Sequence, residues 1–207
     1  MGLLGNFIEK RFLKPGREMK ASQFQELHPR PGGVVFLGDS ITEGGLWHEW
    51  FPDVAVVNRG IDGDTTAGVL ARLDSALTGP PAALFLLIGT NDLTMRAKPE
   101  EIAARVENII DAIHEAAPDT RVVLQSVMPR NTRFHAKLRT LNDMYRRVAV
   151  ERDVEFIDLW PALSTNDGTL RPEFTLDDLH LGGAGYRAWV GVLRPHVDRL
   201  VNGAGQA

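Results

Sequence analysis

Residues 34–42 read Val-Val-Phe-Leu-Gly-Asp-Ser-Ile-Thr, and this stretch decides the fold that we expect. Four consecutive apolar residues are too continuous for a half-exposed strand, and a glycine followed by small polar residues ends them. Strands buried on both faces of a parallel sheet have this composition. A glycine at the end of such a strand suits a sharp turn into a helix, which would leave the Ser40 hydroxyl at the edge of the sheet.

Further apolar runs alternate with amphipathic segments along the rest of the chain. The apolar runs are residues 54–57, 83–88, 122–124 and, less clearly, 154–159. The segments with helical spacing of apolar residues are 65–77, 99–117, 137–152 and 184–201. This alternation predicts one α/β domain with right-handed crossovers, and no internal repeat or linker interrupts it.

The two ends of the chain are expected to add little to this single domain, which we assign to residues 1–207. Residues 1–30 are interpreted as a helical extension packed on the domain, and residues 202–207 as a frayed tail. Apolar residues within 3–13 recur at helical spacing among polar ones, so they form neither a signal peptide nor a membrane span. Packing on the domain is preferred over contact with a membrane surface.

The composition of the chain argues against several functional classes. The 207 residues carry a net charge of −4, which leaves no excess of Lys and Arg to neutralise nucleic-acid phosphates. The absence of cysteine excludes disulfides, a thiolate nucleophile and a cysteine-ligated metal. Because no export signal or membrane span is recognised, the expected location is the cytoplasm, without integral membrane contact.

Polar residues come directly after three of the apolar runs, where open α/β sheets bind their ligands. Ser40 follows the first run, Gly60 lies in Asn-Arg-Gly-Ile-Asp-Gly-Asp-Thr-Thr (58–66) after the second, and Asn91 follows the third. Gly60 would let its backbone N–H approach a ligand, and Asn91 could aim its amide into the same crevice. Each residue also has a structural explanation, namely a helix cap, a glycine turn and a turn asparagine. Thr42 stands where the nucleophile elbow of standard α/β-hydrolases has its second glycine.

A candidate base lies far along the chain, just before the last helical segment. His180 has a carboxylate, Asp177, three residues earlier in a stretch that is typical of a loop. Asp178 is the alternative partner, although a residue two positions before the histidine more often points elsewhere. His48 is the alternative base, since it is near Ser40 in sequence, but it lies on a predicted helix without a suitable acid.

Together these residues meet the requirements of acyl transfer. A serine hydroxyl needs a base to take its proton, and that base needs a carboxylate that fixes its tautomer. The carbonyl oxygen becomes negative during attack and needs preorganised hydrogen-bond donors. The candidate donors are the backbone N–H groups of Ser40 and Gly60 and the side-chain amide of Asn91.

The order Gly-Asp-Ser, Asn-x-Gly, Gly-Thr-Asn-Asp and Asp-x-x-His resembles the SGNH (GDSL) hydrolase family over residues 34–189. Residues 58–66, 127–130 and 179–181, with Gly-Tyr at 185–186, are similar to the platelet-activating-factor acetylhydrolase alpha-subunit branch. The resemblance implies a three-layer α/β/α flavodoxin-like fold with a five-stranded parallel sheet, no metal or cofactor, and a tendency to form homodimers. It assigns the nucleophile to Ser40, the base to His180, its acid partner to Asp177, and the oxyanion donors to Gly60 and Asn91.

The expected substrate is a small carboxylic ester with a short, preferably acetyl, acyl group. Short connections between the strands, without an inserted lid, favour such a group over a long acyl chain. Candidate substrate-binding residues are Asp39, Trp47, Arg130 and Asn131, although Trp47 could instead pack the first helix onto the sheet. Alternative functions are a thioesterase or lysophospholipase with the same site, or a non-catalytic flavodoxin-like module that binds an anion at residues 60–66.

Overall fold

The computed structural model describes residues 14–204 and, among them, the side chains of residues 15–200. The expectations for residues 3–13 and 205–207 therefore lie outside the described residues, whereas residues 202–204 continue the last helix. The elements in chain order are α1 (Lys14–Glu26), β1 (Val34–Gly38), α2 (Ser40–Glu43), α3 (Trp47–Trp50), β2 (Val56–Gly60), α4 (Thr66–Ala71), α5 (Asp74–Leu77), β3 (Ala83–Leu87), α6 (Thr90–Thr94), α7 (Pro99–Ala116), β4 (Arg121–Gln125), α8 (Thr132–Glu151), β5 (Glu155–Ile157), α9 (Trp160–Leu163), a 3₁₀ turn (Pro172–Phe174) and α10 (Gly183–Ala204).

The five strands form one parallel sheet in the order β2-β1-β3-β4-β5. This is the flavodoxin-like strand order, and the predicted three-layer α/β fold with a five-stranded parallel sheet is confirmed. The strand order reverses between β1 and β3, and ligands of such sheets bind at the carboxyl ends of the strands that flank this point. Ser40 follows β1 and Asn91 follows β3, so the topology alone brings these two residues to one crevice.

Helices cover both faces of the sheet, because the strands present apolar side chains on both sides. On one face Val35 and Leu37 pack against α4, α5, α7 and α8. On the other face Val34 and Phe36 pack against α3, α9 and α10. All five residues of β1 are buried, as the continuous apolar composition of residues 34–37 predicts for a central strand.

The second strand begins two residues later than its apolar run and includes polar residues. It comprises Val56–Gly60 rather than residues 54–57. It lies at the edge of the sheet, where the side chain of Asn58 donates hydrogen bonds to carbonyl oxygens outside the sheet. Its Nδ2 donates to the carbonyl oxygens of Thr42 at 3.1 Å and Glu43 at 2.9 Å. A prediction based only on continuous apolar residues therefore misplaces this strand, because an edge strand tolerates polar side chains that a central strand excludes.

The segment expected as one helix over residues 65–77 is two short helices, α4 and α5. Arg72 ends α4 with non-helical backbone angles of φ −120° and ψ 15°. Its guanidinium reaches back to Asp64 Oδ2 at 2.7 Å and to the Gly38 carbonyl oxygen at 3.0 Å. Arg72, at the break between the two helices, thus connects the turn after β2 to the end of β1. The third amphipathic segment also differs, because α8 begins at Thr132 and not at residue 137.

Candidate active site

Ser40 is the first residue of α2, directly beyond the carboxyl end of β1. The turn between strand and helix is tight, since a Cβ on Gly38 would lie 2.3 Å from the Leu87 carbonyl oxygen. Asp39 caps α2, and its Oδ1 accepts a hydrogen bond of 3.0 Å from the backbone N–H of Ile41. The capping role that the sequence left open for Ser40 therefore belongs to Asp39, and the half-buried Ser40 hydroxyl is available for another partner.

That partner is the imidazole of His180, which lies 140 positions further along the chain. Ser40 Oγ is 2.9 Å from His180 Nε2, and His180 Nδ1 is 2.6 Å from Asp177 Oδ2. The other oxygen of Asp177 accepts backbone N–H groups of His180 at 2.8 Å and Leu179 at 3.1 Å. One carboxylate thus holds both the backbone turn and the ring, with the ring aimed at the serine hydroxyl.

The contacts of Asp177 also determine its ionisation. Desolvation acts to raise the pKa of Asp177, but hydrogen bonds from the His180 side chain and from the His180 and Leu179 backbone lower it to about 2. Asp177 is therefore ionised wherever the protein is near neutral pH. A fixed negative charge at Nδ1 favours the tautomer with its proton on Nδ1, which leaves Nε2 free to accept the Ser40 proton.

The alternatives considered from sequence do not reach this arrangement. Asp178 is exposed and has a backbone φ of 60°, whereas Asp177 carries the bond to the ring. His48 has a side chain that is 74% exposed, and its neighbour in the structure is Glu49 at 3.8 Å. The geometry thus joins Ser40, His180 and Asp177 in one hydrogen-bonded chain.

Asn91 lies on α6 at the carboxyl end of β3, where the sequence predicted it. Its Nδ2 donates one hydrogen bond of 2.9 Å to the carbonyl oxygen of Asp64. A side-chain amide has two N–H donors, so this bond fixes the orientation of the amide and leaves the second donor for a ligand. The turn that provides the acceptor follows β2 and is stabilised by the bonds of Asp64 to Arg72.

The structure does not support Gly60 as an oxyanion donor, which corrects our expectation. The Gly60 N–H donates to Asn58 Oδ1 at 2.8 Å, so this donor is already paired within its own strand. The need for glycine has another cause, because a Cβ at this position would lie 2.1 Å from the backbone nitrogen of Glu43 in α2. From the sequence we considered only Gly60 as a backbone donor after the second strand, but the same stretch contains Gly63, which lies in the turn before Asp64 with a backbone φ of +69°. The presence of two glycines within residues 58–66 could have indicated that either one is able to supply this backbone N–H.

Two of the four predicted substrate-binding residues are in the core and present no surface to a ligand. Trp47 is 1% exposed, stacks on Phe36 with 4.1 Å between ring centroids, and donates from Nε1 to the Thr42 carbonyl oxygen at 2.9 Å. Its role is to pack α3 onto the sheet. Asp39 is also 1% exposed. Burial raises the pKa of Asp39 to about 7, although the hydrogen bond from Ile41 opposes the shift.

The other two predicted substrate-binding residues follow β4, and Arg130 contacts protein groups. Its side chain lies over the Phe134 ring at 3.9 Å, and Nη1 donates to Thr94 Oγ1 at 2.8 Å and to Thr90 Oγ1 at 3.2 Å. Arg130 is 8% exposed, and these hydrogen bonds join it to the helix that carries Asn91. Asn131 is half-buried and is the N-cap residue of α8.

Comparison with known proteins identifies the family to which this chain belongs. Residues 36–188 match the GDSL-like Lipase/Acylhydrolase family. The chain belongs to this family. Its members hydrolyse carboxylic esters, and this chain is accordingly a carboxylic ester hydrolase, which removes the alternative of a non-catalytic binding module.

Named relatives and solved structures agree with the family. The chain is 31% identical to platelet-activating factor acetylhydrolase IB subunit alpha1 of Bos taurus, over 74% of this chain and 69% of the relative. A structure described as a platelet activating factor from Streptococcus pneumonia superposes with a TM-score of 0.87 at 29% identity, covering 95% of this chain and 99% of that one. A GDSL-like lipase from Bacteroides thetaiotaomicron shares the fold, with a TM-score of 0.74 at 22% identity over 88% and 97% of the two chains.

The described residues of this GDSL-like hydrolase include neither a cluster of metal-ligating side chains nor a helix that could span a membrane. Within residues 15–200, no group of three or more His, Asp or Glu side chains is placed to hold a metal ion. No helix in the described part of the chain combines the length and apolar character needed to cross a bilayer.

Proposed function

We propose that this hydrolase cleaves carboxylic esters through Ser40, His180 and Asp177, with a covalent acyl-serine intermediate. The observation that carries the proposal is the continuous chain from Ser40 Oγ through both ring nitrogens of His180 to Asp177. His180 takes the Ser40 proton as Oγ attacks the carbonyl carbon, and it returns that proton to the departing alcohol oxygen. Water, deprotonated by His180, then attacks the acyl-serine, and the carboxylic acid leaves as His180 returns the proton to Ser40 Oγ.

The negative oxygen of the tetrahedral intermediate needs donors in fixed positions. We assign them to the Ser40 backbone N–H, at the first turn of α2, and to the free Nδ2–H of Asn91. Gly63 replaces Gly60 as the candidate for a further backbone donor. Its support is position, because the next carbonyl oxygen, that of Asp64, accepts the bond from Asn91 Nδ2.

For the acyl group we propose acetyl or a similarly short chain. The relatives at about 30% identity are named acetylhydrolases, which supports a short acyl group by similarity.

The test combines active-site labelling with a substrate series. A fluorophosphonate probe should label the wild-type protein once and should fail to label Ser40→Ala, while Ser22→Ala, an exposed serine on α1, should label normally. Hydrolysis of p-nitrophenyl esters from acetyl to palmitoyl should be fastest at the short end and absent in Ser40→Ala. Turnover close to wild type in Ser40→Ala would refute the nucleophile, and a maximum at octanoyl or longer would refute the acyl preference alone. An acetyl thioester run in parallel distinguishes esterase from thioesterase activity.

A further inference from the structure

The helix that carries Asn91 is too short to hold its own position. α6 has five residues, begins after Gly89 at φ +120°, and has no side-chain cap at its N-terminus. A helix of this length forms little more than one turn of hydrogen bonds and is unstable in isolation. The location of the Asn91 amide must therefore be set by contacts between α6 and its surroundings.

The first of these contacts joins α6 to the segment after β2. Asp92 is 2% exposed, and its Oδ2 accepts the backbone N–H of Thr66 at 3.0 Å. Its Oδ1 accepts the Thr66 hydroxyl at 2.6 Å and lies 3.4 Å from Arg105 Nη1. A buried carboxylate with two hydrogen bonds to one residue allows little sliding between α6 and the start of α4.

The second contact comes from the opposite side, from the segment after β4. One nitrogen of Arg130, Nη1, lies within hydrogen-bond distance of three oxygen atoms of α6. These are Thr94 Oγ1 at 2.8 Å, Thr90 Oγ1 at 3.2 Å and the Thr90 carbonyl oxygen at 3.4 Å. The Phe134 ring beneath the guanidinium fixes its plane. The two contacts bracket Asn91 from either side along the edge of the sheet.

We propose that Asp92 and Arg130 are positioning residues that place the Asn91 amide against the developing oxyanion. The inference rests on the oxyanion role given to Asn91 in the proposed function. Oxyanion donors act over 2.7–3.1 Å, and a misplacement of about 1 Å can reduce a rate by about 100-fold. Loosening either contact should therefore lower kcat with little effect on KM, because the free enzyme and the ground-state complex need this placement less than the transition state does.

The experiment is a double-mutant cycle with p-nitrophenyl acetate as substrate. Arg130→Lys keeps a positive charge but loses the forked geometry, and Thr66→Val removes the hydroxyl that Asp92 Oδ1 accepts. Thr94→Val is the mild variant, since residue 94 is exposed and only its hydroxyl bonds are removed. Each is measured alone and with Asn91→Ala, and urea unfolding confirms that each variant is folded. The control is Arg152→Lys, a surface arginine paired with Asp111 at 2.8 Å.

We expect Arg130→Lys and Thr66→Val each to lower kcat by about 10-fold with KM unchanged, and Thr94→Val to lower it less. In the Asn91→Ala background these losses should disappear, because the group that is positioned is absent. Arg152→Lys should keep the wild-type kcat. Losses that multiply with that of Asn91→Ala, or a change confined to KM, would overturn the positioning role while leaving Asn91 as a donor. A wild-type kcat in Asn91→Ala itself would overturn the oxyanion role, and the positioning role with it.

Discussion

Replacing Asp39 with Asn is expected to stabilise the protein, and to do so most strongly at alkaline pH. Asp39 is buried beneath the turn that carries Ser40, and burial raises its pKa from 3.8 to about 7. Asn has nearly the same shape and keeps the carbonyl oxygen that accepts the Ile41 N–H at 3.0 Å. The substitution therefore removes the ionisation while it preserves the helix cap.

The sign and size of the effect follow from the proton balance. Between pH 3.8 and about pH 7 the folded protein retains a proton that the unfolded chain has lost. The contribution of Asp39 to the free energy of unfolding is therefore complete below pH 3.8, falls through this interval, and is lost above about pH 7. At 1.36 kcal/mol for each pH unit, the fall amounts to about 4 kcal/mol. Because Asn does not ionise, the variant does not lose this stability as the pH rises.

The assay is urea unfolding of wild type and Asp39→Asn between pH 4.5 and 8. Titrating groups that do not interact with Asp39 are shared by the two proteins and cancel in the difference. The stability of the variant relative to wild type should rise by about 3 kcal/mol across this range and level off above pH 7. Glu49→Gln, which changes an exposed carboxylate to an amide in the same way, is the matched control. A flat difference for Asp39→Asn would refute the argument, because it would mean that burial does not disfavour the ionised carboxyl.

Three further predictions test the roles that the structure separates. Asp177→Asn should lower kcat for p-nitrophenyl acetate by roughly 10⁴-fold because the ring loses its fixed tautomer, whereas Asp178→Asn should remain close to wild type; equal losses would return both residues to consideration. Trp47→Ala should lower the free energy of unfolding by about 3–5 kcal/mol, as expected for a ring that is buried against Phe36, and a change in KM without a loss of stability would contradict this role. Gly60→Ala should destabilise the protein by about 1–3 kcal/mol and lower kcat, because its Cβ collides with α2; wild-type values for both would exclude the close contact.

Much of the fold could be predicted from sequence because its central strands are buried on both faces. β1 and β3 consist of continuous apolar residues, and both are found where residues 34–37 and 83–88 indicated. β2 could not be placed equally well, since an edge strand pairs its polar residues with neighbours that only the folded chain provides. The break between α4 and α5 has the same origin, because Arg72 is drawn to Asp64 and to the end of β1.

In the site, too, some residues could be recognised from the sequence, whereas the roles of others depend on contacts in the folded chain. The proximity of Ser40, His180 and Asp177 could be predicted because acyl transfer requires these groups, and the strand ends limit where Ser40 and Asn91 can be. Gly60 was misassigned, since the sequence does not reveal that Asn58 occupies its N–H. The packing of Trp47 on Phe36 and the hydrogen bonds of Arg130 to Thr90 and Thr94 depend on partners more distant in sequence, which residue spacing does not reveal.

The short-range bonds of the site explain why Asp and Asn residues are frequent near it. Asp39, Asn58 and Asp177 each accept a backbone N–H two residues further on, at 3.0, 2.8 and 3.1 Å. Such Asx turns let the backbone change direction sharply without leaving its donors unpaired. In each case the turn lies beside a residue of the proposed mechanism or beneath it. An acidic or amide side chain at a strand end is therefore weak evidence of chemistry by itself. A second bond to a reacting group is the stronger sign, and of these three residues only Asp177, through the ring of His180, has one.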